Sequence, residues 1–334
     1  MPVVTPAPAV VAAPLALSRA GDLSHPDRDV RVGQRVRVAR GVYADAAAYR
    51  ALPPWSRYLA RVHAVALAWP DSVFTLESAA ALLGLPVFGD PRDVHVLVRS
   101  PAKARALHGI RVHTSTVMPH VVSDGPLTFV SAGDTTVDIC RTRHPAVGLA
   151  VACAALRADP SLSVDDLVAR SAERPSGRGR RAAEWMFARA TATPESTLEA
   201  TSLTVIEWLG FPPPELQQWF GAAGEANDRV DFWWPRVRVA GEADGEVKYS
   251  GALGDARAAL RARNARDARL MARGVSATAH WGWSDLLAPA QLRAILRAAG
   301  VTQTGPEHSE PLRTLPAALR SATPRPLPPR ASQR

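Results

Sequence analysis

The sequence predicts a mixed α/β protein with more than one domain. Short runs of β-branched and aromatic residues, such as residues 94–98, alternate along the chain with apolar residues at helical spacing, such as residues 55–69. A chain of 334 residues, 47% of them hydrophobic, is long enough for two or three domains with cores of their own. We therefore expect folded domains flanked by tails.

The first 45 residues are predicted to contain a leader and a basic strand pair. Residues 1–17 are rich in Ala and Pro and carry no positive charge before Arg19, unlike a signal peptide, so residues 1–15 are interpreted as a disordered leader. In residues 29–43 valines alternate with arginines around Gly33, which is typical of a half-buried strand pair with a basic outer face. Four arginines of that face are candidates for contacts with DNA phosphates, with a solvated strand face as the alternative: Arg31, Arg35, Arg37 and Arg40.

The middle of the chain, residues 51–190, is predicted to mix helices and strands. The expected helices lie at residues 55–69, 75–84, 135–143 and 146–157, and the expected strands at residues 94–98, 110–114 and 127–130. His95 and His113 fall in strands with no carboxylate or cysteine partner in view, so they are interpreted as packing or surface residues. Glu77 and Asp138 are expected to cap helices or to pair with local arginines.

A capping box opens the last predicted domain. Ser196 is followed three residues later by Glu199 and by an apolar helical face, which predicts a helix with Glu199 as its capping partner. A strand hairpin over residues 230–243, an arginine-rich helix, a strand ending at Trp281 and one final helix through Ala299 are expected to follow. The content of Pro, Ser and Arg from Gln303 onward predicts disorder.

The hairpin ends in a row of carboxylates. Alternation along its second strand places Glu242, Asp244 and Glu246 on one face, with Asp231 on the neighbouring strand. Crowded carboxylates require positive charge, and Mg²⁺ or Mn²⁺ would supply it through one or two of them. Lys248 is one of two lysines in the chain, which indicates a role for a compact ammonium beside three acids. The alternative is an exposed acidic hairpin end that pairs with Lys248 on the surface.

These residues resemble the PD-(D/E)XK nuclease superfamily. Arg229-Val-Asp-Phe, Gly241-Glu-Ala-Asp-Gly and Val247-Lys-Tyr are most similar to the short-patch-repair-like endonuclease domain at the C-terminus of actinobacterial AbiEi-type (type IV) antitoxins. The resemblance implies that Asp231, Glu242 and Asp244 hold the metal and that Lys248 activates water. The chain departs from the superfamily pattern at Asp244, where the archetype has Lys. Either Lys248 reaches back to Glu242, or Glu246-Val-Lys248 is itself the Glu-X-Lys triplet.

The resemblance extends over about residues 16–290. The segment Arg40-Gly-Val-Tyr43 is similar to the end of the degenerate winged helix-turn-helix that opens AbiEi-type antitoxins. The resemblance also implies that Glu199 faces the metal-binding strands, that Gln217 or Gln218 lies near them, and that Arg266 on the arginine-rich helix contacts a phosphate backbone. A solvated helix face is the alternative for Arg266. The implied order is leader (1–15), winged helix (16–50), middle domain (51–190), restriction-endonuclease-like αβββαβ domain (191–300) and disordered basic tail (301–334).

The net charge and the cysteine content limit the classes of function that the chain can have. The net charge of +9 favours a polyanionic partner such as DNA. Cys140 and Cys153 do not have the spacing of a zinc site, and they imply no disulfide framework. No apolar segment is long enough to span a bilayer. We therefore expect a cytoplasmic protein without a membrane partner. The sequence therefore favours a Mg²⁺-dependent DNA endonuclease with an N-terminal DNA-binding module, in a toxin–antitoxin or phage-defence context with a cognate toxin as a candidate partner. The alternative is a DNA-binding repressor or antitoxin whose nuclease fold is an inactive scaffold.

Overall fold

The structure is a computed structural model that describes residues 10–99, 108–221, 227–244 and 253–319 and divides the chain into two compact units. Unit 1 comprises the described residues up to Ala190 together with Leu319, and unit 2 spans Thr191–Ala318. Both units combine helices with sheets, so the chain is a mixed α/β protein, as the sequence predicts. Lys248 and Glu246 lie outside the described residues.

Unit 1 opens with a three-stranded antiparallel sheet of order β1-β3-β2. Its elements are β1 (Ser18–Arg19), a 3-10 helix (Ala20–Asp22), α1 (Pro26–Arg31), β2 (Arg35–Ala39) and β3 (Val42–Asp45). The predicted strand pair around Gly33 was wrong in its first arm, because residues 26–31 are helical and the hairpin turns at Arg40 and Gly41. Pro26 is tolerated at the first position of α1, where its missing amide hydrogen costs no hydrogen bond. The carboxylates of Asp27 and Asp29, in the first turn, stabilise the helix through its N-terminal dipole.

The rest of unit 1 surrounds a five-stranded mixed sheet of order β6-β5-β4-β8-β7. The elements, in chain order, are α2 (Ala46–Ala51), α3 (Pro54–Ala68), β4 (Val73–Phe74), α4 (Leu76–Leu82), β5 (Val94–Val98), β6 (Ile110–Thr114), β7 (Val121–Asp124), β8 (Leu127–Val130), α5 (Ala132–Thr142), α6 (Pro145–Ala158), α7 (Val164–Ala172) and α8 (Arg180–Phe187). The predicted strands at 94–98, 110–114 and 127–130 and the four predicted helices are confirmed to within three residues at each end. Periodicity identified them because each buries one apolar face in a common core, with Phe74, Leu82 and Phe129 among its fully buried members.

Part of the predicted leader is held against unit 1. The Val11 amide donates to the Leu82 carbonyl at 2.8 Å, and the Val11 carbonyl lies 2.9 Å from His63 Nε2. Residues 10–15 are therefore attached through hydrogen bonds of the Val11 backbone, which corrects the expectation of disorder for that part of the leader. Residues 1–9 lie outside the described part of the chain.

Unit 2 is built on a four-stranded sheet of order β12-β11-β10-β9. Its elements are α9 (Thr197–Trp208), β9 (Glu215–Phe220), β10 (Asp228–Trp234), β11 (Val239–Ala243), α10 (Leu253–Ala272) and β12 (Ala277–Trp281). Strands β9, β10 and β11 pair antiparallel, whereas β11 and β12 pair parallel. The core includes Val230, Ala240 and Leu270, and Trp281 Nε1 donates to Ser202 Oγ of α9 at 2.8 Å.

The end of unit 2 departs from the prediction in two places. The expected single helix through Ala299 is divided into α11 (Trp283–Leu287) and α12 (Pro289–Ala298), because Pro289 lacks an amide hydrogen and disfavours the α conformation at Ala288. The disorder expected from Gln303 is corrected as well, since α13 (Ser309–Leu319) follows and buries Leu312 and Leu315. Residues 320–334 of the expected tail lie outside the described chain. No helix in the described ranges combines the length and apolarity that a bilayer crossing requires.

Candidate functional site

The central pair of acids in unit 2 lies across the β10–β11 hairpin. Phe232 pairs with Gly241, so the same register sets Asp231 opposite Glu242. Asp231 Oδ2 accepts a hydrogen bond from the Ala243 amide at 3.0 Å, which fixes the Asp231 side chain against β11. Glu242 is 4% exposed. The hairpin therefore brings together the two acids that the alternation pattern had placed on neighbouring strands.

Glu199 reaches the same place from α9. Its Oε2 atom accepts a hydrogen bond from Gln217 Nε2 at 2.8 Å, and Gln217 Nε2 also lies 3.2 Å from Asp231 Oδ1. Gln217 has a left-handed backbone with φ 54° in the middle of β9, a strained conformation of the kind often found at functional sites. We call Glu199, Asp231 and Glu242 the carboxylate cluster.

Glu199 plays a different local part from the one the sequence predicts. Ser196 caps α9 by accepting from the Glu199 amide at 3.1 Å, as expected. The Glu199 carboxylate does not complete a capping box with the Ser196 amide; it accepts from the Glu195 amide at 2.9 Å and from Gln217. Because the side chain is buried and joined to the strands through Gln217, Glu199 belongs to the cluster. Gln218, the alternative glutamine, donates instead to the Trp219 carbonyl.

The electrostatics of the carboxylate cluster favour added positive charge. Burial and the nearby Asp231 carboxyl raise the pKa of Glu242 to about 8, although Arg266 opposes the shift. Burial also raises the pKa of Asp231. Burial, followed by the charge of Asp231, raises the pKa of Glu199. Each raised pKa means that a negative charge on that carboxyl group is unfavourable in this enclosed space, and that a nearby cation would lower its cost.

Arg266 of α10 supplies positive charge at the cluster. Its Nη2 atom lies 2.8 Å from Glu242 Oε1, and it also donates to the Arg229 carbonyl. Arg266 is therefore directed at the carboxylates and a backbone carbonyl, whereas the sequence-based expectation was a phosphate contact or a solvated residue. Even so, Glu242 Oε1 and Gln217 Oε1 are buried and accept no hydrogen bond of good geometry from any described residue.

Asp244 lies beside the cluster but binds other partners. It follows β11, where its Oδ2 atom lies 2.9 Å from His280 Nδ1 and 3.3 Å from Arg263 Nη1. His280 Nε2 in turn lies 3.0 Å from Asp267 Oδ2. Burial acts to raise the pKa of Asp244, but the hydrogen bond and charge of His280 and the charge of Arg263 lower it below its usual range overall.

No pattern in the sequence identifies His280 as a partner of Asp244. The two residues are 36 positions apart, and the contact exists because β11 pairs in parallel with β12, where Glu242 is in register with His280. The described residues contain no group of three or more His, Cys, Asp or Glu side chains arranged to hold a metal ion. Lys248, the predicted ammonium, falls outside the described ranges.

The four N-terminal arginines occupy different environments. Arg31 lies in α1 rather than on a strand, and its Nε donates to the Asp27 carbonyl. Arg37 pairs with Asp27 at 2.7 Å and Arg35 with Asp29 at 3.6 Å, so the acids of α1 partly neutralise the strand face. Arg40 is exposed at the β2–β3 turn.

Unit 1 contains a second polar cluster, around the two strand histidines. Glu77 forms a two-point ion pair with Arg143 and lies 3.4 Å from His95 Nε2, and His95 Nδ1 lies 2.8 Å from His113 Nε2. His95 is buried and His113 is half-buried, in keeping with their interpretation as packing residues, and the carboxylate beside His95 is that of Glu77 on α4, which is distant in sequence. Glu77 and Asp138 both pair with arginines, but not with local ones: Arg143 is 66 positions from Glu77, and Arg174, 2.8 Å from Asp138, is 36 positions away.

The described chain is a two-unit mixed α/β protein with a carboxylate cluster in its second unit, in which Glu199 and Glu242 are buried and Asp231 is half-buried. It belongs to the same family as the uncharacterized proteins Rv2248 and MT2308 of Mycobacterium tuberculosis strains H37Rv and CDC 1551. Each is 30% identical to this chain over 227 residues, which cover 67% of this chain and 79% of the relative. No protein-family model matches the chain. No solved structure matches it significantly.

Proposed function

We propose that unit 2 is a Mg²⁺-dependent nuclease domain of the PD-(D/E)XK type, in a chain related to AbiEi-type antitoxins, and that it cleaves DNA. The observation that carries the proposal is the carboxylate cluster. Three acids from α9, β10 and β11 converge in a buried space, and the two facing acids and Glu199 all have raised pKa values. Such a concentration of perturbed acids is more typical of a functional site than of a structural one.

The order of elements supports this proposal. Unit 2 runs α9, β9, β10, β11, α10, β12, which is the αβββαβ order that the sequence resemblance implies. The acids fall on the central strands β10 and β11, and the helix before β9 adds Glu199. Fold alone does not decide activity, so the argument depends on the acids.

The donor set fits Mg²⁺. This ion prefers oxygen ligands and is commonly held by one or two carboxylates, with water and substrate phosphate completing its coordination, so a preformed group of three acids is unnecessary. Asp231 and Glu242 would hold it, and the ion would take the place of the Arg266 guanidinium, which lies 2.8 Å from the buried Glu242 Oε1 atom. When bound, the ion would lower the pKa of water and offset charge on the phosphate.

The protein's own residues would orient and balance this site. The Ala243 amide and Gln217 fix the two oxygens of Asp231, and Gln217 couples Asp231 to Glu199. Arg266 lies close enough to Glu242 to balance its charge in the absence of a metal. His280 holds Asp244 beside the cluster, where its carboxylate would complete the set of acids.

A second candidate, a DNA-binding repressor or antitoxin with an inactive scaffold, is favoured by a different observation. Arg266 already lies 2.8 Å from Glu242, so positive charge reaches this acid without a metal ion. On this alternative, DNA affinity persists in EDTA and depends on the exposed Arg40 together with Arg35 and Arg37.

The test is cleavage of duplex and single-stranded DNA and RNA by the full chain with Mg²⁺ or Mn²⁺, with EDTA as the metal-free reference. We expect metal-dependent cleavage of DNA that Asp231→Asn and Glu242→Gln each reduce by about a hundredfold or more, since each removes a metal-binding charge. Glu215→Gln is the matched control, because Glu215 is an exposed acid on β9.

Metal binding is measured separately, by the shift of the unfolding temperature with Mn²⁺. A ligand that binds only the folded chain stabilises it, so wild type and Glu215→Gln should gain stability and Glu242→Gln should not. Absence of cleavage on every substrate, together with equal Mn²⁺ shifts for wild type and Glu242→Gln, would contradict the nuclease proposal.

A further inference from the structure

Unit 1 contains a cavity of about 500 Å³ that no part of the proposed nuclease function uses. One wall is formed where the parallel strands β5 and β6 end, at Leu97, His113 and the three hydroxyl-bearing residues Thr114, Ser115 and Thr116. The carboxyl ends of parallel strands are a frequent location of ligand sites, and the volume is typical of a small-molecule site.

A second part of the cavity lining is basic. It contains the end of α5 and the segment between α7 and α8, and its charged residues are Asp138, Arg141, Arg174 and Arg178. Arg141 is buried and donates to the carbonyls of Ser171 and Arg178, and Arg174 pairs with Asp134 and Asp138. These contacts hold the segment in place, so its position is set before any ligand arrives.

Two guanidinium groups of the cavity remain for a ligand. The side chains of Arg178 and of Arg99, at the end of β5, form no hydrogen bond or ion pair with any residue that the structure describes. Unpaired arginines beside a set of hydroxyl groups are the usual means of binding a phosphate, because guanidinium donates two parallel hydrogen bonds to its oxygens.

The histidine cluster opens into the same cavity at His113. Burial acts to raise the pKa of Glu77, but the hydrogen bond from Arg143 lowers it overall, so Glu77 is an anion, and its Oε2 atom lies 3.4 Å from His95 Nε2. Burial lowers the pKa of His95, and burial, then the charges of His95 and Arg143, lower that of His113 to about 4. Both rings are therefore neutral near neutral pH.

The direction of the hydrogen bond between the two histidines follows from this. A carboxylate 3.4 Å from His95 Nε2 favours the tautomer that carries its proton on that nitrogen, so His95 Nδ1 accepts from His113 Nε2, which lies 2.8 Å away. His113 Nδ1 then also carries a lone pair, and it has no hydrogen-bond partner within the described ranges. The cavity therefore offers an acceptor at His113 and two unpaired cations, one after β5 at Arg99 and one between α7 and α8 at Arg178.

The backbone at the cavity is strained as well. Leu76 lines the cavity and has φ 49°, a left-handed conformation that costs a non-glycine residue about 1–3 kcal/mol and persists mainly where the surroundings enforce it. Leu76, Leu97 and Val117 add an apolar surface for a carbon skeleton.

From this geometry we propose that the unit 1 cavity binds a small phosphate monoester that also carries a hydroxyl or amino group. Arg178 and Arg99 bind the phosphate, and His113 Nδ1 accepts a hydrogen bond from the hydroxyl or amino group. The proposal is independent of the function proposed for unit 2, because it requires neither metal nor nuclease activity.

The test is isothermal titration of the full chain, in EDTA, with inorganic phosphate, ribose 5-phosphate and AMP. We expect saturable binding of at least one of the two esters, tighter than that of inorganic phosphate. Arg178→Ala should weaken ester binding about tenfold or more, the effect of losing a charge-assisted hydrogen bond. Arg181→Ala is the matched control, because Arg181 is exposed on α8 and does not line the cavity.

The variant His113→Phe distinguishes binding of the phosphate group from binding of the hydroxyl or amino group. It should weaken ester binding about tenfold and leave the affinity for inorganic phosphate unchanged, which also shows that the cavity is intact. The proposal is overturned if neither ester binds by about 10 mM, a concentration well above the Kd of a specific site. It is also overturned if Arg178→Ala behaves like Arg181→Ala, or if Arg178→Ala weakens only the binding of duplex DNA.

Discussion

Replacing Glu242 by glutamine should stabilise unit 2, although it removes an ion pair. The pKa of Glu242 is about 8 in the folded chain against 4.5 as its ordinary value, so the folded state binds its proton more tightly than the unfolded state between these two values. A group of this kind contributes most to stability below about pH 4.5, and that contribution is lost as the pH rises toward about 8. A glutamine side chain at this position has no proton to lose, so the variant avoids this loss.

The size of the effect follows from the difference between the pKa of about 8 in the folded chain and the ordinary value of 4.5. At about 1.4 kcal/mol per unit the full penalty is about 5 kcal/mol, and at pH 7, which lies 2.5 units above the ordinary value, it is about 3 kcal/mol. Most of the penalty develops between about pH 5 and about pH 8, so the advantage of Glu242→Gln should grow by about 3 kcal/mol over that range.

Urea unfolding of the full chain in EDTA, followed by tryptophan fluorescence, measures this difference. Most of the tryptophans belong to unit 2, namely Trp208, Trp219, Trp233, Trp234, Trp281 and Trp283, so the signal reports mainly on that unit. Glu215→Gln, on the exposed edge of β9, should show no such pH dependence. A Glu242→Gln variant less stable than wild type at every pH, or an advantage that stays constant with pH, would refute the reasoning.

Two further predictions concern packing and charge. Asp228→Asn should destabilise unit 2 by about 2–4 kcal/mol in urea unfolding, because Asp228 is 7% exposed and binds Arg269 through both carboxylate oxygens. The hydrogen bonds of Arg269 lower the pKa of Asp228, so the destabilisation should shrink in acid, and a loss independent of pH would contradict this account. Gly148→Ala should cost unit 1 about 1–3 kcal/mol, since its new Cβ would lie 2.3 Å from Met186 Sδ and 3.1 Å from Cys140 Cα. Unfolding by far-ultraviolet circular dichroism measures that loss, and Gly148→Ala should cost less in a Met186→Ala background than in the wild type if the clash with Met186 is the cause.

Local patterns in the chain were sufficient to predict most elements and the fold class. Strands β5, β6 and β8, the β10–β11 hairpin and most helices were predicted because each buries one face, and burial leaves a local period in the chain. The same alternation placed Asp231 and Glu242 on neighbouring strands. At two places a proline set an element boundary that the apolar period did not predict: Pro26 begins α1, and Pro289 separates α11 from α12.

Which side chains meet could not be predicted from these patterns and depends on the folded arrangement. Glu199 joins Asp231 through Gln217, Asp244 meets His280, and His95 contacts Glu77, in each case across a pairing or packing contact between distant segments. Period and composition describe one segment at a time, whereas the partners of a buried charge are set by strand order and helix packing. The pKa of Glu242, the orientation of Arg266 and the unpaired acceptor of His113 therefore exist only in the folded chain.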